Sequence, residues 1–309
     1  MADRDFTTTG LLAEIRRRAR IPDTDPDFTD LNLLKEADSQ TLEVFAPLIQ
    51  SARADFYMRS EDQAIIAGQV RYPLPSRSVG SRVRQVLWVD GSGTEWELYP
   101  HVATDQVRWT QMHGVPEAYA IRDDEVLLFP APGANQGILR IFYEYRPARL
   151  VATGFFVVQA VGASAITLTA PVTWTATSTY DFIKATPPFA LLGSDADPTA
   201  TGTNAVVTFP SSAIPPRLAA GDYMCLPGET PVPQIPAELQ SALALAVAAE
   251  VISQYAPEQS VVLYQKLGKV LEDQKAILAP RSRGRSIKVV NRNSFFRRGA
   301  YRRGTGLGP

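Results

Sequence analysis

The stretch PAELQSALALAVAAEVISQYAPEQSVVLYQKLGKVLEDQKAILA, residues 236–279, decides how the chain folds. Pro236 suits the first helical position, where its missing N–H would have no partner in any case. Leu239, Leu243, Ala246, Val247 and Ala249 then make the next turns apolar nearly all round, so the helix they form must be buried. Pro257 kinks or restarts it, and Tyr264, Leu267, Leu271 and Leu278 fall on one stripe that needs another helix to face. Pro280 ends the segment.

The chemistry changes directly afterwards. Arg281, Arg283, Arg285, Lys288, Arg292, Arg297, Arg298, Arg302 and Arg303 occur with no acid among residues 281–309. The whole chain holds 31 basic and 32 acidic residues, so 22 basic face 32 acidic ahead of this tail: −10 before it, +9 within it. Ile287, Val289, Val290, Phe295, Phe296 and Tyr301 alternate with the cations. Such a mixture has too little apolar area to fold alone, yet it can fold on a partner; the plain alternative is a solvated, disordered tail.

Upstream, the composition limits the choices. A 309-residue chain that is 45% apolar can bury one large core or two modest ones. Cys225 is the single cysteine, which rules out an internal disulfide or a cysteine-rich zinc site, and His101 and His113 are isolated. The first residues, MADRDFTTTG, lack the apolar core of a secretory signal, and no run of about 18 apolar residues occurs. The expectation is a protein that is soluble and intracellular when made.

Residues 9–20 read as a short amphipathic helix, with Leu11, Leu12, Ile15 and Ala19 inward and a solvated arginine face. A Pro/Asp turn leads to Thr29 or Asp30, either able to cap a helix running to about Met58. Leu34, Ala37, Thr41, Phe45, Leu48, Ala52 and Phe56 form its inward stripe, Pro47 kinks it, and it is expected to pack on 236–279. From Ile65 the period changes to two. Strands are expected at Ile65–Leu74, Val83–Val89, Thr94–Tyr99, Ala118–Arg122 and Val126–Phe129, with Gly137–Tyr145 closing one antiparallel sheet and Pro100–Gly114 as a loop with a helical turn. In 138–145 one face is wholly apolar and needs a cover.

Between Leu150 and Gly228 the chain is rich in Thr, Ala, Ser, Gly and Pro, with short strand-like runs at 155–160, 165–169, 182–185, 205–209 and 223–226. They suggest a small barrel or sandwich inserted between sheet and C-terminal helices. The fold class is thus α+β. Its expected division is N-terminal helices (1–62), antiparallel sheet (63–150), inserted β-domain (151–230), C-terminal helices completing a helical bundle (231–280) and a basic extended docking tail (281–309).

No active site is apparent. Asp123-Asp124-Glu125 sits in a turn whose side chains diverge, whereas a hard cation needs converging oxygens. Gly91-Ser92-Gly93 has no following lysine or helix to make a phosphate loop. Cys225 lies in an apolar strand as a buried, inert thiol. No catalytic, metal or cofactor residue is assigned.

Leu11-Leu12 and Ile15-Arg16 before a Pro/Asp turn, the long helix, Gly68 and Arg71-Tyr72-Pro73-Leu74-Pro75 resemble the neck adaptor, or head-to-tail connector, proteins of tailed bacteriophages. Gly114-Val115-Pro116 with Tyr119, Leu127-Leu128-Phe129-Pro130-Ala131-Pro132 and Tyr143-Glu144-Tyr145-Arg146-Pro147 continue the likeness, which covers about 1–150 and 231–309 but not 151–230. The resemblance implies a non-enzymatic structural protein of the virion neck, assembled in the host cytoplasm. It implies a ring, commonly of twelve copies, under the portal protein and joined to a downstream tail or neck protein. DNA would pass its channel without sequence-specific binding, and no membrane is involved. Portal docking would fall to Arg281, Arg283, Arg285, Lys288, Arg292, Phe295, Phe296, Arg297, Arg298, Tyr301, Arg302 and Arg303. Carboxylates of the acidic remainder, facing the channel, would keep DNA from sticking. Two other readings stand beside it: a nucleic-acid-binding module whose tail sits on phosphate and stacks bases, and a tail-tube or fibre protein using 151–230.

Overall fold

Thr7 starts the first helix by accepting the Gly10 N–H on its hydroxyl at 3.4 Å, and Arg20 ends it in a left-handed conformation. In the computed structural model, which describes residues 5–22, 25–101 and 113–278, this helix is α1 (Thr8–Ala19). Leu11, Leu12, Ile15 and Ala19 are buried as expected. Arg16 is not on a solvated face: its side chain is 12% exposed and binds the Phe28 carbonyl and the Asp30 carboxylate, tying α1 to the start of the next helix.

That helix, α2 (Asp30–Gln40), is capped by Thr29. It widens into a π-turn at Thr41–Phe45 and resumes as α3 (Ala46–Ala52). Pro47 supplies the cause, since without an N–H it cannot bond the turn before it, and Ala46 reaches back five residues to Thr41 instead. The helix stops at Ala52 rather than near Met58; Arg53 leaves helical geometry and 58–64 forms a strand. Beyond the strands come α4 (Gln240–Tyr255) and α5 (Pro257–Leu278). Pro236 precedes the helix, capping a 3-10 turn at Ala237–Leu239, and Pro257 restarts it. α4 packs against α1, α2 and α5, and α3 meets α5. Leu267 and Leu278 are buried, but Tyr264 is 40% exposed and gives its hydroxyl to Glu250, so it leaves the expected stripe.

The strands are β1 (Met58–Ala64), β2 (Arg71–Pro73), β3 (Ser78–Val89), β4 (Glu95–Glu97), β5 (Tyr99–Pro100), β6 (His113–Gly114), β7 (Ala118–Arg122), β8 (Glu125–Phe129), β9 (Ala131–Pro132) and β10 (Ile138–Tyr145). The expected loop at Pro100–Gly114 lies, for 102–112, outside the described residues. Instead of one sheet there are two of four strands, ordered β1-β10-β3-β4 and β2-β8-β7-β5. β10 is therefore an inner strand. The expected Ile65–Leu74 strand shrinks to β2, because the chain turns at Gly68. Leu139 and Ile141 of β10 pack with Tyr72, Val126 and Leu128 of the second sheet, whereas Tyr143 and Tyr145 pack among the helices. One apolar strand face thus serves two cores.

The chain then runs through β11 (Arg149–Leu150), β12 (Phe155–Val161), β13 (Ala165–Trp174), β14 (Tyr180–Ile183), β15 (Leu191–Ala196), β16 (Gly202–Thr208), β17 (Tyr223–Cys225) and β18 (Glu229–Thr230). Six of these form a sheet ordered β15-β14-β17-β12-β13-β16 around Val158, Ile166, Trp174, Phe182, Val207 and Met224. The Thr199 N–H, just past β15, bonds the Thr208 carbonyl at the far edge, 2.9 Å away, which curls the sheet toward a barrel. β15 has no counterpart among the expected strands. β11 and β18 pair in parallel, so the chain enters and leaves this unit side by side. Thr8 is bonded to the residue after each strand, its hydroxyl to the Val151 carbonyl and its N–H to the Pro231 carbonyl. Ile183, Phe189, Leu191 and Cys225 also reach the helical core, where Phe189 meets Phe6 at 5.4 Å.

Candidate functional site

All twelve tail residues expected to dock, from Arg281 to Arg303, lie outside the described residues. The last described helix, α5, ends at Leu278, which is buried against the helical core.

Among the described residues, a concave surface rich in charged side chains lies where α2, the segment 146–153 and the β18 end of the barrel meet. Two adjoining cavities occupy it, of about 450 and 390 Å³. They share Asp38 and Arg149, so they form one trough along α2. Its floor is a polar joint. Arg77, just before β3, gives one guanidinium N–H to Asp181 at 3.2 Å and another to the Arg146 carbonyl at 2.9 Å, while the Arg146 N–H returns to the Arg77 carbonyl at 2.9 Å. Asp181 is fully buried on β14 and also accepts the N–H groups of Gly228 at 2.9 Å and Asp195 at 3.1 Å. Burial pushes its carboxyl above the ordinary range, against the pull of Gly228 and Arg77. Gln234 holds the same joint from the other side, accepting the Ala148 N–H at 2.7 Å.

On the α2 wall, Asp38 accepts the Leu150 N–H at 2.9 Å. Burial pushes its carboxyl up to about 6, with the Leu150 N–H and Arg149 pulling the other way. Arg149 pairs with Glu229 across β11 and β18. Arg146 and Lys35 are exposed and make no ion pair with any described residue.

The remaining residues weighed for chemistry stay apart. Cys225 is buried at the edge of the helical core, and burial pushes its thiol far above the usual range, which keeps it an unreactive thiol. Asp123, Asp124 and Glu125 cap the β7–β8 turn, with Glu125 paired to Arg71. His101 stacks edge-on against Phe129. Asp90 organises the Gly91–Gly93 turn by accepting the N–H groups of Ser92 and Thr94, a hairpin role and not a phosphate loop. Among the described residues, no cluster of three or more His, Cys, Asp or Glu could hold a metal ion, and no helix is long and apolar enough to cross a membrane.

The trough is not among the sites expected from sequence, because its walls come from four separated stretches. A cue was present: Arg77 follows the Arg71–Pro75 motif and Arg146 lies inside Tyr143–Pro147, so both quoted motifs end at the same cavity.

No curated protein matches the chain. A family model does, and the segment it covers contains α1 to α3, both four-stranded sheets and most of the trough, stopping where the barrel begins. Residues 6–155 match the family described as SU10 adaptor protein, so that part of the chain is similar to a phage adaptor family.

Proposed function

We propose that the protein is a structural component of the virion neck that forms a ring under the portal, joins capsid to tail and lines the DNA channel. The observation carrying this is the adaptor-family match over residues 6–155. The charge division supports it: a body with ten more acids than bases suits a channel that DNA must pass without sticking, and the basic tail suits an acidic partner. Arg281, Arg283, Arg285, Lys288, Arg292, Phe295, Phe296, Arg297, Arg298, Tyr301, Arg302 and Arg303 dock on the portal, where ordering of the tail is offset by charge-assisted bonds and buried rings. The other partners are further copies of the chain and a downstream tail or neck protein, with assembly in the host cytoplasm.

In this reading the helices of 1–62 and 231–280 complete one bundle, the sheets of 63–150 stand beside it, and 151–230 is an inserted domain. The role is non-enzymatic. The tail's cations and aromatics favour one rival, a nucleic-acid-binding module. Electron microscopy of the purified protein with and without its portal separates the two. Rings that join the portal support the adaptor; a monomer that changes only with DNA supports the rival.

A further inference from the structure

The trough along α2 has unmet bonding capacity of a definite kind. Leu31, Lys35 and Asp38 lie on one stripe of α2, continued by Leu42 in the π-turn, and the segment from Arg146 to Thr153 forms the opposite wall. Leu31 is 62% exposed and Leu42 45% exposed, so each end offers an apolar seat. Arg77 and Arg149 already hold carboxylates, but Arg146 and Lys35 do not, and the buried Nε of Arg77 has no acceptor. Asp38 is the one acid in the wall whose bonds go to backbone alone.

We propose that this trough is a docking groove for an extended acidic peptide segment of another protein. Side-chain carboxylates of such a segment satisfy Arg146 and Lys35, its apolar side chains cover Leu31 and Leu42, and its backbone N–H groups face Asp38. That combination distinguishes the ligand. A nucleic acid would find two unpaired cations, too few for appreciable phosphate binding, and its sugar-phosphate backbone has no N–H groups to give Asp38. The chain's own tail fails on charge, since it carries nine bases and no acid. The groove belongs to the same partner-joining role as the adaptor reading but does not depend on the portal, so it is tested without one.

The probe is a synthetic peptide of glutamates with a leucine near each end, bearing a photo-crosslinker and a fluorophore, added to the full-length protein at moderate salt. Crosslinks are mapped by mass spectrometry, which separates the groove from the basic tail. The expected result is crosslinking to α2 and residues 146–153, with that yield and the groove affinity falling at least about tenfold in Lys35→Glu/Arg146→Glu. Arg122→Glu, at an exposed site outside the groove, should leave both unchanged. Circular dichroism confirms that the variants fold, and Leu42→Asp provides a second lesion with the same expected loss. Crosslinks confined to the tail, or unchanged yield in the double variant, would overturn the proposal. So would equal competition by a single-stranded DNA of matched charge. Self-association abolished by the same substitutions, with no groove crosslinking, would give the groove to a second copy and also overturn it.

Discussion

Asp62 and Arg140 stand opposite each other on β1 and β10, and the carboxylate takes two guanidinium N–H groups at 2.7 and 2.9 Å. Arg140 also reaches Glu95 on β4, so one side chain links both edges of the sheet over its inner strands. Lysine keeps the charge but cannot reproduce the fork. Arg140→Lys should cost about 0.5–1 kcal/mol, a small figure because all three groups are partly solvated. Urea unfolding of the variant checks it, and the loss should shrink in high salt.

Asp38 predicts a pH dependence. Its carboxyl is raised from 3.8 to about 6 by burial, so the folded chain holds that proton more tightly than the unfolded chain does. Between these values the folded state binds more protons, and this group's contribution to stability falls as pH rises through the window. Asp38→Asn retains an acceptor for the Leu150 N–H without the charge. The variant should match the wild type near pH 4 and gain on it up to about pH 7, then level off. Thermal melts of both proteins from pH 4 to 8 give the curve.

Leu243 is fully buried on α4, whereas Tyr264 on α5 is 40% exposed. Leu243→Ala should therefore cost about 2–5 kcal/mol, with little relief from collapse around so many small neighbours, and Leu243→Asp should prevent folding. Tyr264→Phe, losing its hydroxyl's bonds to Glu250 and Ser253 at a partly solvated site, should cost about 1 kcal/mol or less. Denaturant titration compares the variants.

Phe155 and Cys225 are paired on adjacent strands, so a short Gly/Ser linker can replace residues 156–224. Helical circular dichroism should survive this deletion. The melting temperature should fall, because Ile183, Phe189 and Leu191 are taken from the helical core. Loss of the helical signal would mean that 151–230 is not an independent unit.

For the tail, lysine in place of Arg283, Arg285, Arg297 and Arg298 should weaken co-sedimentation with purified portal if the contacts are bidentate, and leave DNA binding nearly unchanged. Phe295→Ala and Phe296→Ala should each weaken portal binding by about 2 kcal/mol where the rings fill pockets. A tail-deleted protein that joins the portal normally would remove the tail's docking role.

The elements legible in the sequence were those whose pattern is local. The alternation of Leu139, Ile141, Tyr143 and Tyr145 marked β10, and the segment 239–252, apolar nearly all round, marked a buried helix. Helix length after Pro47 was not legible, because Met58–Ala64 is largely polar and becomes a strand only by pairing with β10. β15 reads as Leu-Leu-Gly-Ser-Asp-Ala, too short and too mixed to declare itself without β14 beside it. Whether 63–147 made one sheet or two depended on which strands meet, a non-local matter that periodicity does not address. The trough was hidden for the same reason: Asp38, Arg77, Arg149 and Glu229 are ordinary surface charges until the fold brings them together.

β10 has a mechanical consequence. It is held along seven paired positions by β1 and is flanked by β3 on its other side, with one end rooted among the helices and the other in the two-sheet core. A pull that separates those two bodies runs along the strand, loading the ladder in shear, so its hydrogen bonds resist together instead of opening one after another. The joint should be stiff under tension and weakest where the register slips between Phe142 and Tyr145, which is where a stretched molecule would first give way.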